Sequence, residues 1–182
     1  MISGYPLPTG NSEEPSFSFA QRDANLSEAS RLVDMAEVYL PDLLSEFRKI
    51  ELESMHADRK GWVLYKQAVL EGGSQNIKKA IDSLEKAVCM KAEAEYYLHL
   101  ALALKHKLES EGEILRKNDA GKAEFRQILN RAFACCDHVE DLDLKKRYTR
   151  QAKDVRRRLR RIEKSQQKAI EANVSKPDTD PG

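Results

Sequence analysis

From Trp62 to Leu104 the chain repeats its apolar and small residues three and four positions apart, interrupted once by Gly72-Gly73. That spacing stacks side chains along one face of a helix and does not fit the alternation of a half-buried strand. Trp62 and Tyr65 open the first pattern. After the glycine break Ala80, Leu84 and Ala87 form a second, and Tyr97, Leu100, Ala101 and Leu104 a third. The small residues at Ala80, Ala87 and Ala101 let neighbouring helix backbones come close, while Trp62, Leu84 and Tyr97 fill the space between them. Trp62 and Tyr97 are therefore expected to be mostly buried. The pattern predicts a helical hairpin and the opening of another.

Phe125, Leu129 and Ala132 repeat the spacing of Ala80, Leu84 and Ala87 at an offset of 45 residues. Together these series resemble the tetratricopeptide (TPR) repeat over residues 60–137, under half of the chain. Trp62 and Tyr65 match its opening aromatic and the large apolar residue that follows, with Lys66 where a small residue is usual. Tyr97, Leu100, Ala101 and Leu104 match a second opening, with Ala101 for the more common Gly. A tetratricopeptide unit has about 34 residues, so this one would carry about 11 more. Residues 109–121 can hold them, as a lengthened fourth helix or an inserted loop.

The resemblance implies an all-α, antiparallel helix-hairpin array of about two degenerate repeats. It also implies a groove, lined by the first helix of each pair, that takes a peptide or helix of a partner protein. The expected groove residues, beside the packing stripes, are Val63, Gln67, Leu98, Leu102 and Lys105. Some family members clamp a C-terminal carboxylate with Lys and Asn at positions that fall here on Val63, Gln67, Leu98 and Leu102. That clamp chemistry is absent. A generic helical bundle, its spacing set by packing alone, is the alternative.

A chain of 182 residues holds one domain with a sizeable core. Five of the 6 Pro lie near the ends and only Pro41 is internal, which leaves the middle free for long helices. Residues 1–24 carry no helical period and read as a disordered N-terminal arm; 25–172 read as one domain and 173–182 as a disordered tail. Asn25 or Ser27 can cap a first helix with Leu32, Ala36 and Tyr39 on its buried face. Leu43, Phe47, Ile50, Ala57, Leu64 and Ala68 then keep a helical spacing. Residues 41–71 form either one long helix or two with a break near Ser54–Asp58. Helices three and four are expected over 76–90 and 92–109, and the last from Asp141 or Asp143 to about 170. No apolar run reaches the ~18–20 residues of a membrane span. The N-terminus lacks the pattern of a secretory signal, and three cysteines make no disulfide framework. A cytoplasmic location is expected.

The net charge of +1 hides an asymmetry. From Lys145 to Lys168 twelve Lys and Arg face only Asp154 and Glu163, a local +10. On a helix, Tyr148, Ala152, Val155, Leu159, Ile162 and Ala169 make an apolar stripe broken by Gln166. Lys146, Arg150, Lys153, Arg157, Arg160, Arg161, Lys164 and Lys168 point the other way. This long basic C-terminal helix reads as a cap with a solvated face. An acidic protein, nucleic-acid phosphates and an anionic membrane surface are the alternative partners. The absence of interleaved aromatics disfavours base stacking. Val155, Leu159 and Ile162 belong to a seven-residue series that could also support weak homodimerisation.

No chemistry-bearing motif stands out. Gly72-Gly73-Ser74 lacks the ending of a phosphate loop. Adjacent Cys135 and Cys136, with His138 and Cys89, lack metal-ligand spacing and read as small hydrophobes. His99 and His106 are two turns apart, not the i, i+4 pair of a zinc site. The reading is a protein-interaction scaffold without catalytic residues, cofactor or metal.

Overall fold

The computed structural model describes residues 19–39 and 46–174, with side chains described over 25–35 and 48–168. Six helices occur in order: α1 (Phe19–Tyr39), α2 (Glu46–Glu71), α3 (Ser74–Met90), α4 (Ala94–Leu115), α5 (Asp119–Leu142) and α6 (Thr149–Val174). No strand occurs among the described residues. Consecutive helices pack against each other, and α4 also meets α2 and α6. The fold is an all-α array of antiparallel hairpins, compatible with a helical repeat.

Each reversal has a local cause. Gly72 takes a left-handed φ of 72° just past α2, where its N–H donates to Ala68 O at 3.0 Å. Between α4 and α5, Asn118 accepts the Gly121 N–H at 2.7 Å and caps α5. Before α6 the cap is Asp143, whose carboxylate accepts the N–H groups of Arg147, Tyr148 and Thr149 at 2.6–2.9 Å and the Thr149 hydroxyl at 2.8 Å. Burial alone would raise the Asp143 pKa, but these bonds outweigh it and hold it below the ordinary carboxylate value.

From α3 to α6 the core follows the expected spacing, whereas Leu32 of α1 and Ile50 of α2, both expected on apolar stripes, are exposed. Ala80, Leu84 and Ala87 of α3 are fully buried, as are Phe125 and Ala132 of α5, with Leu129 nearly so. Leu100, Ala101 and Leu104 supply the α4 share, and Ala152, Val155 and Leu159 that of α6. The α2–α3 crossing is close because Gly61 has no Cβ. An added Cβ would lie 2.5 Å from Leu84 Cγ and 3.0 Å from Ala80 O.

Several boundaries differ from the sequence expectation. α1 starts at Phe19, ahead of Asn25 and Ser27, so 19–24 belong to a helix and not to an arm. α2 runs unbroken through Ser54–Asp58 from Glu46, the one-helix alternative. α4 continues to Leu115, so the added residues of the second unit lengthen a helix instead of making a loop. α6 begins at Thr149, later than Asp141 or Asp143, because Asp143 caps it across a turn in which Lys146 has φ 54°. The arm 1–18, the segment with Pro41 and Leu43, the tail from 175, and the side chains of Ala36, Tyr39, Phe47 and Ala169 lie outside the described residues.

Candidate functional site

α2 and α4 run side by side in the same direction, since Asp58 and Trp62 meet His99 while Tyr65 meets His106. α6 lies on the other flank of α4. Between the three is a groove of about 580 Å³. α2 contributes Arg59, Trp62 and Lys66; α4 contributes Glu95, Leu98, His99, Leu102 and Lys105; Tyr148, Gln151, Asp154, Val155 and Arg158 close the far side.

On the α4 side Leu98, Leu102 and Lys105 all border the groove, but Leu98 is buried in the core and Lys105 is buried too, so of the three only Leu102 stands partly open beside the packing stripe. The α2 wall is turned by one residue. Arg59, Trp62 and Lys66 share a helix face, and Val63 and Gln67 stand about 100° further round. Gln67 instead borders a shallow depression against α1, beside Ser27, Ser30 and Arg31. Val63 does not line the groove. Trp62 thus stands in a groove-facing series, packed against the core as its role in packing suggested and partly open to the groove. Tyr97 is half-buried too, its ring stacked on His138 of α5 at 4.6 Å.

Sequence reasoning missed the pair that orders the α2 wall. Asp58 is fully buried, and its Oδ1 lies 2.7 Å from His99 Nδ1. The His99 ring stacks on Trp62 at 4.1 Å, Tyr65 packs on Trp62 at 5.1 Å, and Lys66 Nζ sits 4.5 Å from the Trp62 ring centre. The buried spacing of Ser54, Ala57 and Asp58 beside Gly61 is the signal in the sequence, but Asp58 reads there as a surface carboxylate. Glu95 stands where the three helices meet: Tyr148, whose pKa burial and the Glu95 charge hold above its ordinary value, lines the same groove, and Arg59 and His99 Nε2 lie 3.9 and 4.0 Å from Glu95. Among the described residues no Ser, Thr or Cys lines the groove, and its hydroxyl is the phenol of Tyr148.

The basic residues divide over two faces. Arg150, Lys153, Arg157, Arg160, Arg161, Lys164 and Lys168 are exposed on α6, while Lys146 belongs to the turn before it. Lys146, Arg150, Lys153, Arg157 and Arg160, with Arg156, border a second open depression of about 630 Å³ that also includes Glu140 and Asp154. Arg156 is paired with Asp137 and Glu140 of α5, and Arg157 with Asp154. Arg158, left out of the expected ridge, turns into the α2–α4–α6 groove.

Cys135 and Cys136 are buried, and burial pushes their thiols up to about 12 and about 11. Among the described residues no three His, Cys, Asp or Glu side chains are grouped to hold a metal ion. Nor is any helix there long and apolar enough to cross a membrane. No protein-family model, curated protein or solved structure matches the chain.

Proposed function

We propose that this chain is a non-catalytic protein-interaction module of tetratricopeptide-like type that binds a peptide or helix of a partner protein in the α2–α4–α6 groove. The observation carrying this reading is the convergence of Trp62, Leu102 and Val155 from three helices on one groove with charged lips. Apolar contact surface with convergent polar groups around it is what a peptide-binding cleft requires. The hairpin architecture and the Trp62-to-Leu104 spacing support the family likeness.

Trp62 is the only tryptophan, so its emission reports on this groove. A ligand of this site should shift that emission saturably, and Leu102→Asp should abolish the shift while leaving helical circular dichroism intact. A ligand whose binding is indifferent to Leu102→Asp would place the interaction elsewhere and sink the reading.

The second reading is a nucleic-acid-associated protein that uses the basic face of α6. Lys146, Arg150, Lys153 and Arg160 favour it, since they share one depression without an ion-pair partner among the described residues. Phosphate binding there would weaken steeply with salt. Mobility shifts at low and raised salt, with Arg157→Ala, Arg160→Ala and Arg161→Ala combined, test it. No binding at ~50 mM salt rejects it.

A further inference from the structure

The charged residues of the α2–α4–α6 groove are not equivalent. Glu95 has Arg59 3.9 Å and His99 Nε2 4.0 Å away, and Asp154 is paired with Arg157. Lys105 Nζ is held 3.1 Å from Glu109 Oε2. Two cations are left over. Lys66 contacts only aromatic rings, and Arg158 stands near Tyr65; neither has a carboxylate within ion-pair distance among the described residues. Both are exposed, and they project from the helices that flank α4 on its two sides. Trp62 and Leu102 offer half-buried apolar surface between them.

We infer that the occupant of this groove is an acidic segment of a partner protein, with an apolar side chain seated against Trp62 and Leu102 and carboxylates on either side reaching Lys66 and Arg158. This rests on the interaction-module reading and adds the chemistry of the partner. A basic segment would meet two uncompensated cations, and an all-apolar one would desolvate them without replacing their water. A nucleic acid is disfavoured here because the Trp62 ring is already in contact with His99, Tyr65 and Lys66, which leaves poor room for a stacked base.

The test is selection of random dodecapeptides lacking Trp against the full chain, followed by titration of synthetic winners against Trp62 emission. Enriched peptides should carry Asp or Glu on both sides of an apolar residue, and their Gln/Asn versions should bind about tenfold more weakly or worse. Lys66→Glu with Arg158→Glu should weaken the acidic peptides to the same degree and leave the Gln/Asn versions within about twofold. Neutral or basic winners that still need Leu102 overturn the acidic inference and spare the groove. Winners indifferent to Leu102→Asp, or none at all, overturn both. Trp62 emission that changes with protein concentration would seat a second copy there. Emission that changes on Glu13→Gln with Glu14→Gln, with no peptide added, would seat the chain's own N-terminal segment; either result overturns the inference.

Discussion

Asp58 and His99, 41 residues apart in sequence, meet Oδ1 to Nδ1 at 2.7 Å beneath the groove and hold the imidazole flat against Trp62. The pair links α2 to α4 and sets the orientation of the only tryptophan. Asp58→Ala should cost about 1–3 kcal/mol, because it strands a buried ring nitrogen. Asp58→Asn, which keeps an acceptor, should cost less. Urea unfolding measures both, and the Ala variant should also change native Trp62 emission. Equal stability of the two variants would mean that the contact contributes volume and not a hydrogen bond.

Gly61→Ala should destabilise the protein, although Ala is the better helix former by about 1 kcal/mol. Its Cβ would meet Leu84 Cγ at 2.5 Å and the Ala80 carbonyl oxygen at 3.0 Å, so α2 and α3 must separate. A net loss of about 1–3 kcal/mol is expected, as for other overpacked cores. Combining it with Leu84→Ala should recover part of that loss, which a double-mutant cycle by thermal unfolding reads as coupling. A stabilised Gly61→Ala would show that the crossing is looser.

Thiol chemistry should separate Cys89 from the other two cysteines. Cys89 is exposed, whereas burial holds Cys135 and Cys136 neutral far above pH 8. Because the thiolate is the reactive form, a disulfide reagent at pH 8 should titrate one thiol per chain quickly and the remaining two only on unfolding. Rapid labelling of all three in the native state would contradict the α5 packing.

Asp143 should make the chain sensitive to acid. Its folded pKa lies below the ordinary value, because the N–H donors of Tyr148, Thr149 and Arg147 outweigh the cost of burial. A depressed carboxylate contributes stability above its unfolded pKa of about 3.9 and loses it as pH falls through the folded value. Asp143→Asn should therefore lower the melting temperature at pH 7 and narrow its gap to the parent as pH drops below about 4. An unchanged gap between pH 7 and pH 3 would exclude a charge-dependent cap.

The two faces of α6 should respond differently to substitution. Arg157, Arg160 and Arg161 are exposed, with only the Arg157–Asp154 pair at stake, so their combined change to Ala should leave the melting temperature nearly unchanged. Leu159 is fully buried in the core, so Leu159→Asp should unfold the domain instead of releasing a folded monomer from a dimer. Sedimentation equilibrium with circular dichroism distinguishes these outcomes. A folded, monomeric Leu159→Asp derived from a dimeric parent would assign that stripe to self-association.

Helix class, the hairpin order and most of the core were legible in the sequence. The spacings of Ala80, Leu84 and Ala87, and of Phe125, Leu129 and Ala132, are local properties of a helix that faces one way, and all six residues are buried. On α4 the same reasoning placed Leu102 at the groove but not the burial of Leu98 and Lys105, which were expected beside the packing stripe. On α2 the phase was not legible. Trp62 could serve as packing aromatic or groove residue, and a turn of about 100° separates it from Val63. That choice depends on how closely α3 approaches, and the approach is decided by Gly61 against Leu84, a contact between different helices. Asp58 with His99, and Arg158 in the groove instead of on the outer ridge, depend likewise on which neighbour each helix meets. Periodicity marks the face a helix buries; only the assembled array determines what that face touches.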